Sequence, residues 1–145
     1  MEEDKRQHLE FIQNVITRMN TNSFQIKGLA ITIVTALMAI YASAQNVAFI
    51  FLGIPPTLLF WFLDSYYLQQ ERKFRGVYND VTGLKDIIKV KPYEMPIQKY
   101  TKKLDKQFSY RNVFFSKTIM WIYLSVIVFL LAISILLKYK DCLIK

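Results

Sequence analysis

The chain has 145 residues, with 19 lysines and arginines against 11 aspartates and glutamates and a formal net charge of +8. Hydrophobic residues make up 53% and aromatic residues 15%, and the mean hydropathy is +0.21. The apolar residues form a few long blocks between charged stretches, which is typical of a membrane protein and excludes a soluble enzyme as the default. With one histidine, His8, and one cysteine, Cys142, the chain excludes an intramolecular disulfide and a zinc site of several Cys and His ligands.

The chain also lacks the sequence patterns of serine hydrolases, zinc proteases, dinucleotide-binding folds and P-loops. We therefore expect no enzymatic activity, no catalytic or metal-binding residues and no cofactor.

Residues 1–23 are predicted to form a cytoplasmic amphipathic helix that is not a signal peptide. Apolar residues recur there at three- and four-residue spacing, namely Leu9, Ile12, Val15, Ile16 and Met19. The opposite face is rich in Gln, Asn, Thr and Glu, which favours packing on another helix over lying on the membrane surface. The polar run 20–23 predicts a break, with Asn22 or Ser23 as the N-cap of the next helix.

Residues 24–68 are predicted to form a transmembrane hairpin. The runs 28–44 and 47–63 carry no charge, and each reaches the roughly 20 residues that a bilayer core requires once weakly polar neighbours are added. We expect the turn at 43–46. Pro55 and Pro56 lie inside the second run and are predicted to kink that helix.

Residues 69–112 are predicted to form a cytoplasmic helix, continuous with the second span and ending near Gly83, and then a basic connection. On that helix Val77 is expected on the apolar face and Asp80 away from it. A third span is predicted within 113–138, where the run 119–137 is interrupted only by serines, and a tail follows at 139–145. The predicted fold class is an all-α membrane protein with three transmembrane helices.

Basic residues near the spans predict the orientation. The segment before the first span carries four and the connection between the second and third spans twelve, against three in the tail. Cytoplasmic segments carry the excess of Lys and Arg. We therefore expect the N-terminus inside and the C-terminus, with Cys142, outside.

Small residues follow one face of the first span. Close packing of helix backbones in lipid requires such residues, but a weakly polar pore lining can use them as well. The face could thus serve the hairpin's own packing, a homo-oligomer interface or a pore. It consists of Gly28, Thr32, Thr35, Ala36, Ala39, Ala42 and Ser43.

Asp64 lies at the predicted inner membrane boundary. We expect it to form an ion pair, with Arg18 or Lys27 as partner, in preference to an ion or proton site. Basic side chains on the cytoplasmic side predict contact with anionic lipid and leave a small anionic ligand open, whereas nucleic acid is not expected. They are Arg72, Arg75, Lys99, Lys102, Lys103 and Lys106.

Two segments of the chain resemble a known family. The run 8–19, with 22–24 and 26–28, and the run 61–68, with 70–72, resemble the RipA family of small bacterial membrane proteins, described as octameric. This resemblance covers about half of the chain and supplies no catalytic residues. It implies a homo-oligomer in the bacterial inner membrane with a role in stress or intracellular survival.

A looser resemblance is to the SLATT-type two-span effectors of bacterial nucleotide-signalled antiphage systems. Two functions follow as expectations. The first is a ring-forming membrane protein, structural or channel-like. The alternative is a ligand-gated effector that opens or damages the membrane.

Overall fold

The structure, a computed structural model, describes the backbone of residues 2–143 and the side chains of residues 2–139. The predictions for Cys142 therefore concern a side chain outside the described residues. Over the described range the chain is helical with no strands, as predicted. Its elements are α1 (Glu2–Ala44), α2 (Ala48–Phe51), α3 (Ile54–Thr82), α4 (Tyr110–Phe114) and α5 (Lys117–Leu143), with 3₁₀ turns at Ile97–Lys99 and Lys106–Phe108.

Three helical segments are long and apolar enough to cross a membrane. They are α1, the segment Ala48–Thr82 and the segment Lys117–Tyr139. Their number and order are those predicted from the uncharged runs.

The first helix does not break where the sequence predicts a break. The run 20–23 is helical and α1 continues through it. Polar residues without Gly or Pro cost a helix only a few tenths of a kcal/mol each, up to about 0.7 kcal/mol. The helix also satisfies the hydroxyl of Thr21, which donates to the carbonyl oxygen of Thr17 at 3.0 Å.

The chain turns after Ala44, within the predicted turn. Gln45 has a left-handed backbone with φ of 51°, and its side-chain amide donates to the carbonyl oxygen of Ala42 at 2.8 Å. The prolines lie inside the second run, and the helix is interrupted just before them, at Leu52 and Gly53. Pro55 and Pro56 lie in the first turn of α3 and begin a helix, because first-turn residues need no backbone donor.

The end of α3 agrees with the prediction. Gly83 has φ of 83°, and its N–H donates to the carbonyl oxygen of Asp80 at 3.2 Å. The N–H of Leu84 donates to the carbonyl oxygen of Asn79 at 2.8 Å. These two bonds make a Schellman motif, which favours glycine at this position.

The chain divides into two compact units. The first unit comprises α1 up to Phe24 and the segment Ser65–Phe115, and the second comprises Gln25–Asp64 and the segment from Ser116 onward. The core of the second unit is built on Val34, Ile50 and Leu130. The core of the first unit consists of Ile12, Ile16, Val77, Tyr100 and Phe108.

Candidate functional site

Asp64 is the centre of a buried polar cluster in the second unit. Its side chain has no solvent exposure. The Nζ of Lys27 lies 2.7 Å from Oδ2 and 3.0 Å from Oδ1, and the hydroxyl of Tyr123 donates to Oδ2 at 3.2 Å. The ring of Tyr123 stacks on Trp61 with centroids 6.1 Å apart. We call Lys27, Asp64 and Tyr123 the Asp64 cluster.

The cluster joins three different helices, because its members come from α1, α3 and α5. A buried carboxylate without partners costs several kcal/mol, whereas this one has a cation and a hydroxyl donor. Of the two ion-pair partners that the sequence leaves open, Lys27 is the one bonded to Asp64, and Arg18 belongs to the first unit. The arrangement therefore suits a structural role, in which these bonds hold α1, α3 and α5 together.

The small-residue face of α1 is not part of the chain's own core. All seven of its members are exposed, whereas Ile26, Ala30 and Val34 on another side of the helix are buried. The hairpin's own packing therefore does not use this face. Bulky exposed residues flank it, with Leu29 and Ile40 at one edge.

The threonine hydroxyls on this face are satisfied within the helix. Thr32 donates to the carbonyl oxygen of Gly28 at 2.9 Å. Thr35 donates to the carbonyl oxygens of Ile31 at 3.0 Å and Thr32 at 2.9 Å. The face thus presents methyl groups and small side chains with few free donors, which suits an apolar partner.

The second unit exposes apolar side chains and buries polar ones. Thr57 and Ser134 are buried and donate to backbone carbonyl oxygens of Gly53 and Leu130, each at 2.7 Å. Large apolar side chains are exposed on α3 and α5, including Leu59, Phe62, Trp121, Val128, Phe129, Ile135 and Leu136. A surface of this kind is unfavourable in water and suits contact with lipid.

Within the first unit, Asp80 of α3 bonds to the segment that follows that helix. The carboxylate is buried and accepts hydrogen bonds from the Tyr100 hydroxyl at 2.5 Å and from the N–H groups of Ile87 at 3.0 Å and Ile88 at 3.2 Å. Burial, together with the bond to Asp80 and its charge, raises the pKa of Tyr100 above its ordinary value of 10.0. The prediction that Asp80 points away from the packed face is wrong, because Asp80 bonds a tyrosine twenty positions further along the chain.

His8 packs inside the first unit. It is 2% exposed, its Nε2 lies 3.1 Å from the carbonyl oxygen of Glu94, and its ring lies 5.9 Å from that of Tyr93. Tyr93 has a left-handed backbone with φ of 62°, and its hydroxyl donates to Oε1 of Gln7 at 2.7 Å. These contacts hold a strained residue against α1, so His8 has a packing role there.

A cleft of about 480 Å³ lies beside His8 in the first unit. Its charged lining residues are Asp4, Asp80, Asp86, Lys5 and Lys89. Three carboxylates against two amines do not favour an anionic ligand. Among the described residues, no group of three or more His, Cys, Asp or Glu side chains could hold a metal ion.

The basic residues singled out in the sequence fall into two classes. Arg75 pairs with Glu71 at 2.7 Å, and Lys99 with Glu94 at 3.5 Å. The other four form no salt bridge to any carboxylate of the described residues, and they are Arg72, Lys102, Lys103 and Lys106.

Comparisons of the chain with known protein families, with curated proteins and with solved structures find no match. Over the described residues, the fold defines an all-helical protein with three helices that are long and apolar enough to span a membrane.

Sequence reasoning missed two features of these sites. Tyr123 lies in an apolar run, and only the contact with Asp64 distinguishes it from a lipid-facing tyrosine. Gly76 packs so closely on Tyr100 that an added Cβ would lie 2.7 Å from ring carbons. A glycine inside an otherwise regular helix was the available signal for this close approach.

Proposed function

We propose that this protein is an integral membrane protein that works as a homo-oligomer, assembled through the small-residue face of α1. The observation that carries the proposal is that this whole face is exposed in the protomer while other sides of the same helix pack. Helix association in lipid depends on close backbone approach, which small residues permit.

The shape of the face supports an interface over a pore lining. At about 100° per residue, Leu29 and Ile40 lie along one edge of the stripe and Ile31 along the other. All three are about half exposed. The stripe is therefore a groove between ridges, into which a second helix can pack. A pore lining gains from free hydroxyls, whereas those of Thr32 and Thr35 bond their own helix.

The assembly we propose is a RipA-like ring in the bacterial inner membrane, with the N-terminus in the cytoplasm. A ring of identical chains can enclose a conduit that one three-span chain cannot, so the role is structural or channel-like. The resemblance to the RipA family suggests eight protomers and a role in stress or survival.

The test is the mass of the assembly in nanodiscs, measured by native mass spectrometry for the wild type and for Ala39→Leu. We expect one closed stoichiometry for the wild type. In the variant we expect association about 5- to 150-fold weaker, because overpacking costs about 1–3 kcal/mol at a close contact.

Ala44→Leu is the matched control, since Ala44 is also exposed and lies about 140° around the helix from Ala39. It should keep the wild-type mass. A monomeric wild type, or an unchanged mass for Ala39→Leu, would remove the proposed interface.

The second candidate is the ligand-gated membrane effector, in which an anionic signal binds the cytoplasmic part. Unpaired Lys102 and Lys103 in the first unit favour it, and the acidic lining of the cleft beside His8 does not. Lys102→Glu with Lys103→Glu should then abolish a response to the signal without changing the oligomer. Absence of nucleotide binding to the wild type would count against this candidate.

A further inference from the structure

A basic hollow of about 430 Å³ lies in the first unit. Its last lining residue, Phe115, is two positions before the start of α5 in the sequence. Its lining residues are Lys102, Ser109, Arg111, Asn112 and Phe115. It thus combines two cations, a hydroxyl, an amide and an exposed aromatic ring. Arginine, lysine and hydroxyl donors together are the chemistry that binds phosphate oxygens.

The two cations of this hollow form no ion pair with the described residues. Neither Lys102 nor Arg111 has a carboxylate within salt-bridge distance among the described residues. The amide of Asn112 donates to the carbonyl oxygen of Lys106 at 3.1 Å, which fixes its orientation. Asp105, the nearest acidic residue in sequence, accepts from the N–H of Gln107 at 3.0 Å and does not line the hollow.

Chain connectivity keeps Phe115, one of the lining residues, close to the level of the membrane headgroups if α5 spans the bilayer. Phe115 lines the hollow and α5 begins at Lys117, so the two lie at most about 7 Å apart along the chain. The ring of Phe115 is 61% exposed and contacts Phe114 edge to face. An exposed aromatic ring beside cations matches a lipid, which carries a phosphate and acyl chains together.

We propose that Lys102, Arg111, Ser109 and Asn112 bind the phosphate of an anionic lipid headgroup, with Phe115 against its acyl chains. The proposal rests on the membrane insertion proposed above but not on the oligomer. It makes the end of the cytoplasmic connection a specific lipid site, whereas general attraction of basic residues to an anionic surface needs no defined pocket.

The experiment counts lipids bound to the purified full-length protein by native mass spectrometry at physiological ionic strength. Phosphatidylglycerol is compared with phosphatidylcholine for the wild type and for Lys102→Gln with Arg111→Gln. The control is Lys103→Gln with Lys106→Gln, which removes the same charge from exposed residues of the same segment that do not line the hollow.

We expect phosphatidylglycerol to bind at least tenfold more tightly than phosphatidylcholine. The Lys102 and Arg111 variant should lose this preference, and the control should keep it within about threefold. Equal losses in both variants would mean diffuse electrostatic attraction and would overturn the site. Displacement of the lipid by inorganic phosphate or a nucleotide at comparable affinity would assign the site to a soluble ligand and overturn the lipid.

Alkaline carbonate extraction of membranes separates this test from failure of the proposed function. A chain released by carbonate is not an integral membrane protein, and both proposals then fail. A retained chain with no lipid preference overturns this inference alone.

Discussion

Asp64 and Lys27 show how a charged pair can be accommodated inside a helical unit. The carboxylate is fully buried, and Lys27 is 22% exposed, so the pair lies at the edge of the unit and not in its centre. A buried pair gives little net stability over an apolar substitute, but removing one member leaves an uncompensated charge. The cluster therefore favours one arrangement of α1, α3 and α5 over slipped alternatives.

Lys27→Met should destabilise the protein by about 3 kcal/mol, because it removes the cation that pairs with the buried Asp64 carboxylate. Adding Asp64→Asn should recover at least about 1 kcal/mol of that loss, since the amide carries no charge. Thermal unfolding in detergent, read as a double-mutant cycle, measures the coupling. Lys103→Met is the control and should change stability by less than about 0.5 kcal/mol. Strictly additive effects of the two cluster substitutions would mean that the pair is not coupled.

At the scale of elements, the sequence predicts apolar helices better than their boundaries. The uncharged runs place three long helices, and Gly83 places the end of α3. The break at 20–23 was wrong because four polar residues cannot outweigh the continuing hydrogen bonds of a long helix. The second run is interrupted just before Pro55 and Pro56, because proline is tolerated in the first turn of a helix but not in its interior.

The contacts of the segment after α3 could not be predicted, since they join residues far apart in sequence. Asp80 has no local pattern that marks it as buried, and Tyr100 is one of nine tyrosines. For the Asp64 cluster, the ion pair was predicted and the contact with Tyr123 was not. The carboxylate at the end of an apolar run and a cation near the start of another indicated an ion pair, but the hydroxyl of Tyr123 did not stand out.

The bond from Tyr100 to Asp80 predicts how the first unit responds to alkali. Tyr100→Phe keeps the ring that packs on Gly76 but removes a hydrogen bond to a charged group, with a loss of about 1.5–3 kcal/mol at neutral pH. The pKa of Tyr100 is raised in the fold, so above about pH 10 the unfolded chain loses this proton first. The stabilisation is therefore complete below pH 10 and declines as the pH rises further.

Unfolding transitions recorded between neutral and strongly alkaline pH measure this contribution. The wild type should lose stability more steeply above pH 10 than Tyr100→Phe does. Tyr139→Phe removes an exposed hydroxyl and should follow the wild type. Parallel curves for Tyr100→Phe and the wild type would show that this tyrosine is not the titrating group.

At the scale of the whole molecule, large apolar side chains lie on the surface of the long helices, and several polar side chains are buried beside the apolar cores. Ser134 is buried on α5 while Leu136 is 68% exposed. In the membrane insertion that we propose, the hydrophobic effect would not hold this unit together, and packing and buried hydrogen bonds would do so. In the oligomer that we propose, the small-residue face would supply such packing between neighbouring chains.

The proposed orientation can be tested with the chain's own cysteine. Placing the basic connection in the cytoplasm puts Cys142 outside, because an odd number of spans separates the two ends. A membrane-impermeant maleimide should therefore label Cys142 on intact cells. Cys142→Ser with Lys85→Cys moves the thiol to an exposed position in the connection, and this variant should be labelled only after the membrane is opened. The reverse pattern would invert the topology and move the basic hollow away from the anionic cytoplasmic leaflet, whereas labelling of both positions on sealed cells would exclude the three-span arrangement.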